Sequence, residues 1–214
     1  MTAHDRLVHL LATRSAKRGD FLLASGRRSS LYIDCRLTTM SPEGQLLIGR
    51  EGLAAVRATG WGVDAVGGLT LGADPIAYAI AHASALAQEG GHDGGGAPAG
   101  PLVRGFTVRK EPKQHGTGKR VEGPFVAGDR VIVVEDVITT GGSALKAVEA
   151  VREAGGQVLG VLALVDREEG GREVLEAAGL LVVAMVRAHE LLAVMPAELP
   201  TKLPTELPTE LPTA

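Results

Sequence analysis

The stretch of this chain richest in chemistry is VIVVEDVITTGGS, residues 131–143. Four apolar residues run into two adjacent carboxylates, Glu135 and Asp136. Val137 and Ile138 follow, and then a loop of Thr139, Thr140, Gly141, Gly142 and Ser143. Such a pattern reads as a buried strand, a small-residue turn and the start of a helix. A helix N-terminus presents unpaired N–H groups and positive dipole character to an anion. Small residues let the backbone approach a ligand closely, and three hydroxyls add donors, so the loop suits a terminal phosphate. Carboxylates repel phosphate; they suit sugar hydroxyls, a bound metal or positive charge developing on carbon. A phosphate seat beside an acidic wall is what a phosphorylated sugar requires. A bare TGGS would read as an ordinary turn capped by Ser143, and the acidic pair argues beyond that. No Gly-Lys-Ser/Thr follows and no G-x-G-x-x-G is present, so neither a nucleoside-triphosphate loop nor a dinucleotide fingerprint is indicated.

Four further segments carry candidate chemistry. RKEPKQHGTG (109–118) gathers Arg109, Lys110, Lys113 and His115 around Pro112, which disfavours a regular helix, and ends in two glycines, Gly116 and Gly118. A mobile cationic loop of this kind could close over a polyanion, although most charge runs are merely solvated. GGLTLGADPIA (67–77) joins a strand to a helix through a Gly-rich turn around Thr70, Leu71 and Gly72, with Asp74 as a candidate helix cap. FLLASGRRSSLYID (21–34) contains Tyr32 and Ile33. Arg167 ends the strand VLALVDR. A guanidinium there can grip a carboxylate through two parallel hydrogen bonds, or simply pair with Glu168 or Glu169 at the surface.

The whole of 131–143 resembles the phosphoribosyl pyrophosphate motif of type I phosphoribosyltransferases. That resemblance implies an α/β fold with a parallel sheet, helices on both faces and a small N-terminal hood. It also implies that Glu135 and Asp136 meet the ribose hydroxyls while Val137 to Ser143 hold the 5′-phosphate. The arrangement R-K-x-x-K-x-H-G at 109–116 is similar to the catalytic loop of orotate phosphoribosyltransferases, which reaches into the neighbouring subunit. By that likeness Lys113 and His115 contact pyrophosphate, Arg109 and Lys110 contact the phosphoribosyl donor, and the protein is a homodimer. Segment 67–77 resembles the family's pyrophosphate loop, with Leu71 and Gly72 lining the site and Ala73 where a second glycine is common. Some members carry a lysine there and another at the position of Ala24. This chain has neither, and Arg27 or Arg28 is the candidate substitute for the latter. Tyr32 and Ile33 would present backbone groups to orotate, with Arg167 and Thr139 at its carboxylate. Mg²⁺ is the implied cofactor, bound through substrate and water near Glu135 and Asp136 and not by a direct protein ligand set. The implied activity joins orotate to phosphoribosyl pyrophosphate in pyrimidine synthesis. A purine or uracil phosphoribosyltransferase, or a sensor that kept only the phosphate cradle, are the competing readings.

The elements that must position these residues alternate. Leu7, Leu10 and Leu11 follow helical spacing from Ala3 to about Lys17, with Thr2 and Asp5 arranged as a capping box and Gly19 as the stop. Residues 20–36 read as two short strands around a turn at Ser25–Gly26. Ser41–Pro42–Glu43 starts a helix to about Thr59. Then come a strand at 63–69, a helix from Asp74 to about Gln88, a strand at 102–110 and the strand VIVVED. A helix at 143–154, a strand at 158–166, a short helix near 172–178 and a strand at 180–186 complete the pattern. Near-continuous apolar strands separated by helices imply a parallel sheet covered on both faces.

The 214 residues allow one core, read here as a domain over 1–195 with a hood at about 20–40 and the basic loop at about 109–120. Residues 89–101 are rich in Gly and Pro and read as a loop insertion. The segment 196–214 repeats Leu-Pro-Thr-Glu/Lys, where recurring proline forbids a continuous helix. A net charge of −3 argues against a nucleic-acid partner, because no basic excess is present. The single cysteine, Cys35, fits a reducing compartment. The N-terminus lacks a signal peptide's apolar core, and no membrane-spanning run is present, so the cytosol is the expected location.

Overall fold

A computed structural model describes residues 1–22, 28–92, 100–111 and 119–196. The turn at Ser25–Gly26, Ala24 and Arg27, most of the Gly-rich insertion, Lys113, His115 and the repeated tail lie outside the described residues.

The chain opens with α1 (Ala3–Arg14), capped as expected by Thr2 and Asp5. It stops short of Lys17. Ser15 closes it, and Ala16 already pairs with Ile33 in a hairpin of β1 (Ala16–Leu22) and β2 (Arg28–Ile33). Cross-strand pairing overrides the local helix pattern at Ala16 and Lys17, and Gly19 sits inside the strand rather than at a helix end. A one-turn helix α2 (Arg36–Thr39), not expected from sequence, leads into α3 (Pro42–Ala58), which Ser41 caps onto the Gly44 N–H.

The central sheet then forms. β3 (Ala65–Leu69) leads to α4 (Asp74–His92), which runs past Gln88 into the Gly-rich segment. β4 (Arg104–Val108) and the two-residue β5 (Val121–Glu122) follow, the latter too short to signal in sequence. Then come β6 (Arg130–Ile138), α5 (Gly142–Glu153), β7 (Gln157–Asp166), α6 (Gly171–Ala177), β8 (Leu181–Arg187) and an unanticipated α7 (Ala188–Val194). The strand order is β5-β4-β3-β6-β7-β8, parallel except for the antiparallel edge strand β5.

Alternation along β6 divides the core. Ile132 and Val134 face the side covered by α1, α3, α4 and α7, with Leu7, Leu11, Ile48 and Ile80 at full burial. Val131 and Val133 face the side covered by α5 and α6, with Ala147, Val151 and Leu175. Because the crossovers α4 and α5 lie on opposite faces, β3 and β6 flank the point where the winding direction changes. In such sheets a ligand crevice opens at the carboxyl ends of those two strands. No helix among the described residues is long and apolar enough to cross a membrane.

Candidate active site

Two adjoining clefts of about 310 Å³ each open at that crevice. The first is walled by Val137 to Ala144, with Glu135 and Arg167. Gly141 has φ +79, and a Cβ there would lie 2.9 Å from the Gly171 carbonyl, so glycine is what lets the loop turn over the start of α6. No side chain caps α5, which leaves its first N–H groups for a ligand. Thr139, Thr140 and Ser143 stand around that helix start as the sequence pattern implied.

The second cleft is lined by Glu135 and Asp136, the turn Thr70–Leu71–Gly72, Lys110, and the hood residues Tyr32 to Arg36. Glu135 and Ser143 border both clefts, so the phosphate-type seat and the acidic wall are contiguous. A Cβ on Gly72 would fall 2.4 Å from Asp136 Oδ2, so glycine is needed for the Asp136 carboxylate to lie over this turn. Asp74 anchors the turn by accepting the hydroxyls of Thr70 at 2.6 Å and Thr107 at 2.9 Å. The Thr70–Leu71 peptide is cis.

The acidic pair is electrostatically tense. Burial, with repulsion from Asp136 second, pushes Glu135 up to about 8, and its Oε2 is buried with no protein partner. Burial also raises Asp136, opposed by the Val137 N–H that donates to its Oδ1 at 2.9 Å. Desolvation disfavours a charged carboxylate, and hydrogen-bond donors arriving with a ligand restore it. Asp34 is held low by its pairing with Arg36 at 2.8 Å. The Cys35 thiol is buried, and its pKa is raised first by that burial and then by Asp136 and Asp34.

Arg167 makes the Glu169 pairing considered from sequence, but it does so buried and not at the surface. Its side chain is only 5% exposed, and its backbone N–H donates to Ile138 O at 3.0 Å. Its Nη2 reaches Ser29 Oγ at 2.6 Å and Leu31 O at 2.7 Å, fastening the hood to the end of β7, and it also meets Glu169 at 2.7 Å. Glu168 turns instead to His189.

Arg109 is not brought to the site. Strand alternation past Val108 sends it toward Glu122, 3.8 Å away, while Lys110 faces the cleft. Arg28 pairs with Asp20 across the hairpin, and neither cleft includes it. Sequence reasoning passed over Asp34, Cys35 and Arg36 as wall residues. The available signal was the charged pair closing LYIDCR, directly after the strand that holds Tyr32 and Ile33.

A parallel sheet with a phosphate-type seat and an acidic wall at its switch point defines a phosphoribosyltransferase. In agreement, residues 56–179 match the phosphoribosyl transferase domain family. Among curated relatives, an orotate phosphoribosyltransferase of Aquifex aeolicus is 46% identical over 195 residues, covering 90% of this chain and 99% of the relative. That of Rhodopirellula baltica is 48% identical, covering 81% and 86%. Among solved structures, Mycobacterium tuberculosis orotate phosphoribosyltransferase in complex with 5-phospho-alpha-D-ribosyl 1-diphosphate aligns with a TM-score of 0.68 at 38% identity, over 89% of this chain and 99% of that one. The chain belongs to the orotate phosphoribosyltransferase family.

Proposed function

We propose that this protein transfers the 5-phosphoribosyl group from phosphoribosyl pyrophosphate to N1 of orotate, releasing pyrophosphate and making orotidine 5′-monophosphate. The observation that carries this is the shared border of the two clefts, because Glu135 and Ser143 belong to both. A donor with its 5′-phosphate on the α5 N-terminus then has its ribose against Glu135 and Asp136. Its diphosphate lies toward the Thr70–Gly72 turn and Lys110.

In this reading the unpartnered Glu135 oxygen and the Asp136 carboxylate accept the ribose hydroxyls. Those hydrogen bonds favour the ionised carboxylates, and the resulting negative wall stabilises oxocarbenium-like charge as the anomeric carbon loses pyrophosphate. N1 of orotate, deprotonated, attacks from the opposite face, without a covalent enzyme intermediate. The backbone groups of Tyr32 and Ile33 position the ring, and Arg167 with Thr139 recognises its carboxylate.

The residues present fit Mg²⁺ held through substrate oxygens. Glu135 has a buried oxygen without a partner and Asp136 stands beside it, whereas no group of three potential metal ligands occurs among the described residues. Mg²⁺ prefers to keep waters and bind phosphate oxygens, and when bound it neutralises charge on the departing diphosphate. Glu135 and Asp136 would hold its water shell.

Lys113 and His115, which lie outside the described residues, are assigned to a closing loop that donates to pyrophosphate and excludes water. The loop serves the neighbouring subunit of a homodimer. The lone free thiol, Cys35, suits a reducing cytosolic setting. The discriminating experiment offers the purified protein the sugar donor and Mg²⁺ with orotate, uracil, adenine or xanthine in turn. Turnover of orotate in strong preference is expected; a purine consumed faster than orotate would replace the assignment.

A further inference from the structure

Arg167 Nη2 has three acceptors within 2.7 Å, namely Ser29 Oγ, Leu31 O and Glu169 Oε1. A guanidinium nitrogen of this kind carries only two protons, so the set is oversubscribed. Nε, meanwhile, is buried with no partner. Ser29 and Leu31 are neutral and fixed on β2. Glu169 differs: it is charged, its side chain is 27% exposed, and it is the one carboxylate within ion-pair distance of Arg167 among the described residues.

A buried cation without a counter-charge is costly, so Arg167 needs a carboxylate before orotate arrives. Orotate brings a carboxylate of its own, and its planar pair of oxygens matches the guanidinium fork. Two carboxylates crowded on these donors would repel. We propose that Glu169 is an internal stand-in for the substrate carboxylate, pairing with Arg167 before orotate binds and yielding it when orotate arrives. Glu169 thereby sets affinity for carboxylated pyrimidines.

The turn between the two residues is fixed independently. Glu168 adopts φ 57, and its carboxylate accepts the His189 N–H at 3.0 Å and faces the ring Nδ1 at 2.9 Å.

This proposal rests on orotate being the acceptor. The test compares KM for orotate, KM for the sugar donor, kcat and inhibition by uracil in the parent and in Glu169→Gln. Removing the competing charge should lower KM for orotate by about 3- to 10-fold, leaving the donor KM and uracil inhibition within about two-fold. Glu169→Asp, which keeps the charge but retracts it by one methylene, should fall between and serves if the glutamine variant folds poorly. An unchanged or raised KM for orotate in an active Glu169→Gln enzyme overturns the stand-in role alone. A parent enzyme that does not consume orotate overturns the acceptor assignment and this proposal with it.

Discussion

Replacing Glu135 by glutamine keeps the side chain's shape and removes its ability to ionise. Folded, the Glu135 carboxyl sits at about 8 against an ordinary value of 4.5, first because it is buried and second because Asp136 is beside it. An acid whose folded pKa is raised binds more protons when folded than when unfolded, so its contribution to stability falls as pH rises from the unfolded value through the folded one. The parent should therefore lose stability between about pH 4.5 and pH 8 relative to the variant, whose glutamine does not titrate. At 1.36 kcal/mol per unit, the relative penalty is under about 1 kcal/mol at pH 5, about 3 at pH 7, and levels off near about 5 above pH 8. For a chain of this size, about 3 kcal/mol corresponds to the variant's Tm gaining roughly 6–12 °C on the parent's between about pH 4.5 and pH 7. Thermal or urea unfolding of both proteins from pH 5 to pH 9 reads the difference, because outside the coupled Glu135–Asp136 pair the titrating groups keep the same surroundings in the two. Stability curves that run parallel across that range would refute the claim that Glu135 is held protonated by its surroundings. Donor binding should also release protons near pH 7, as ribose hydroxyls draw Glu135 toward its ionised form.

Other expectations follow from particular contacts. Gly72→Ala puts a methyl 2.4 Å from Asp136 Oδ2, so the carboxylate must move; kcat/KM should drop by at least about 10-fold with the fold kept, checked by activity and circular dichroism. Lys113→Ala should lower kcat by at least about 10²-fold, the lower range for a lost transition-state charge contact, and an unchanged kcat would remove the loop from the chemistry. Arg167→Met removes both the carboxylate partner and the tie to Ser29 and Leu31. It should raise KM for orotate by more than about 30-fold, equivalent to the lower end of 2–5 kcal/mol for breaking a buried charge pair, while the donor KM moves far less.

The phosphate cradle was legible because its parts are contiguous. Residues 131–143 carry the strand, the acids and the helix start in one run, and the alternating apolar strands announced the sheet. What was hidden depends on residues distant in sequence. That Gly72 must be glycine follows from Asp136 lying over it, and that Arg167 is buried follows from the hood folding back onto β7. The helical spacing of α1 ran on to Lys17, but pairing of Ala16 with Ile33 decided the boundary. β5 exists only because Thr107 and Val108 offer an edge to Val121 and Glu122. The direction of Arg109 required knowing where the strand alternation of β4 ends.

The most direct measurement follows orotate's ultraviolet absorbance after purified protein, phosphoribosyl pyrophosphate and Mg²⁺ are mixed, with released pyrophosphate counted in parallel. Absorbance should fall at a rate proportional to protein, with one pyrophosphate formed per orotate consumed. Absorbance that stays constant, or pyrophosphate released without loss of orotate, would contradict the assignment of orotate as the acceptor.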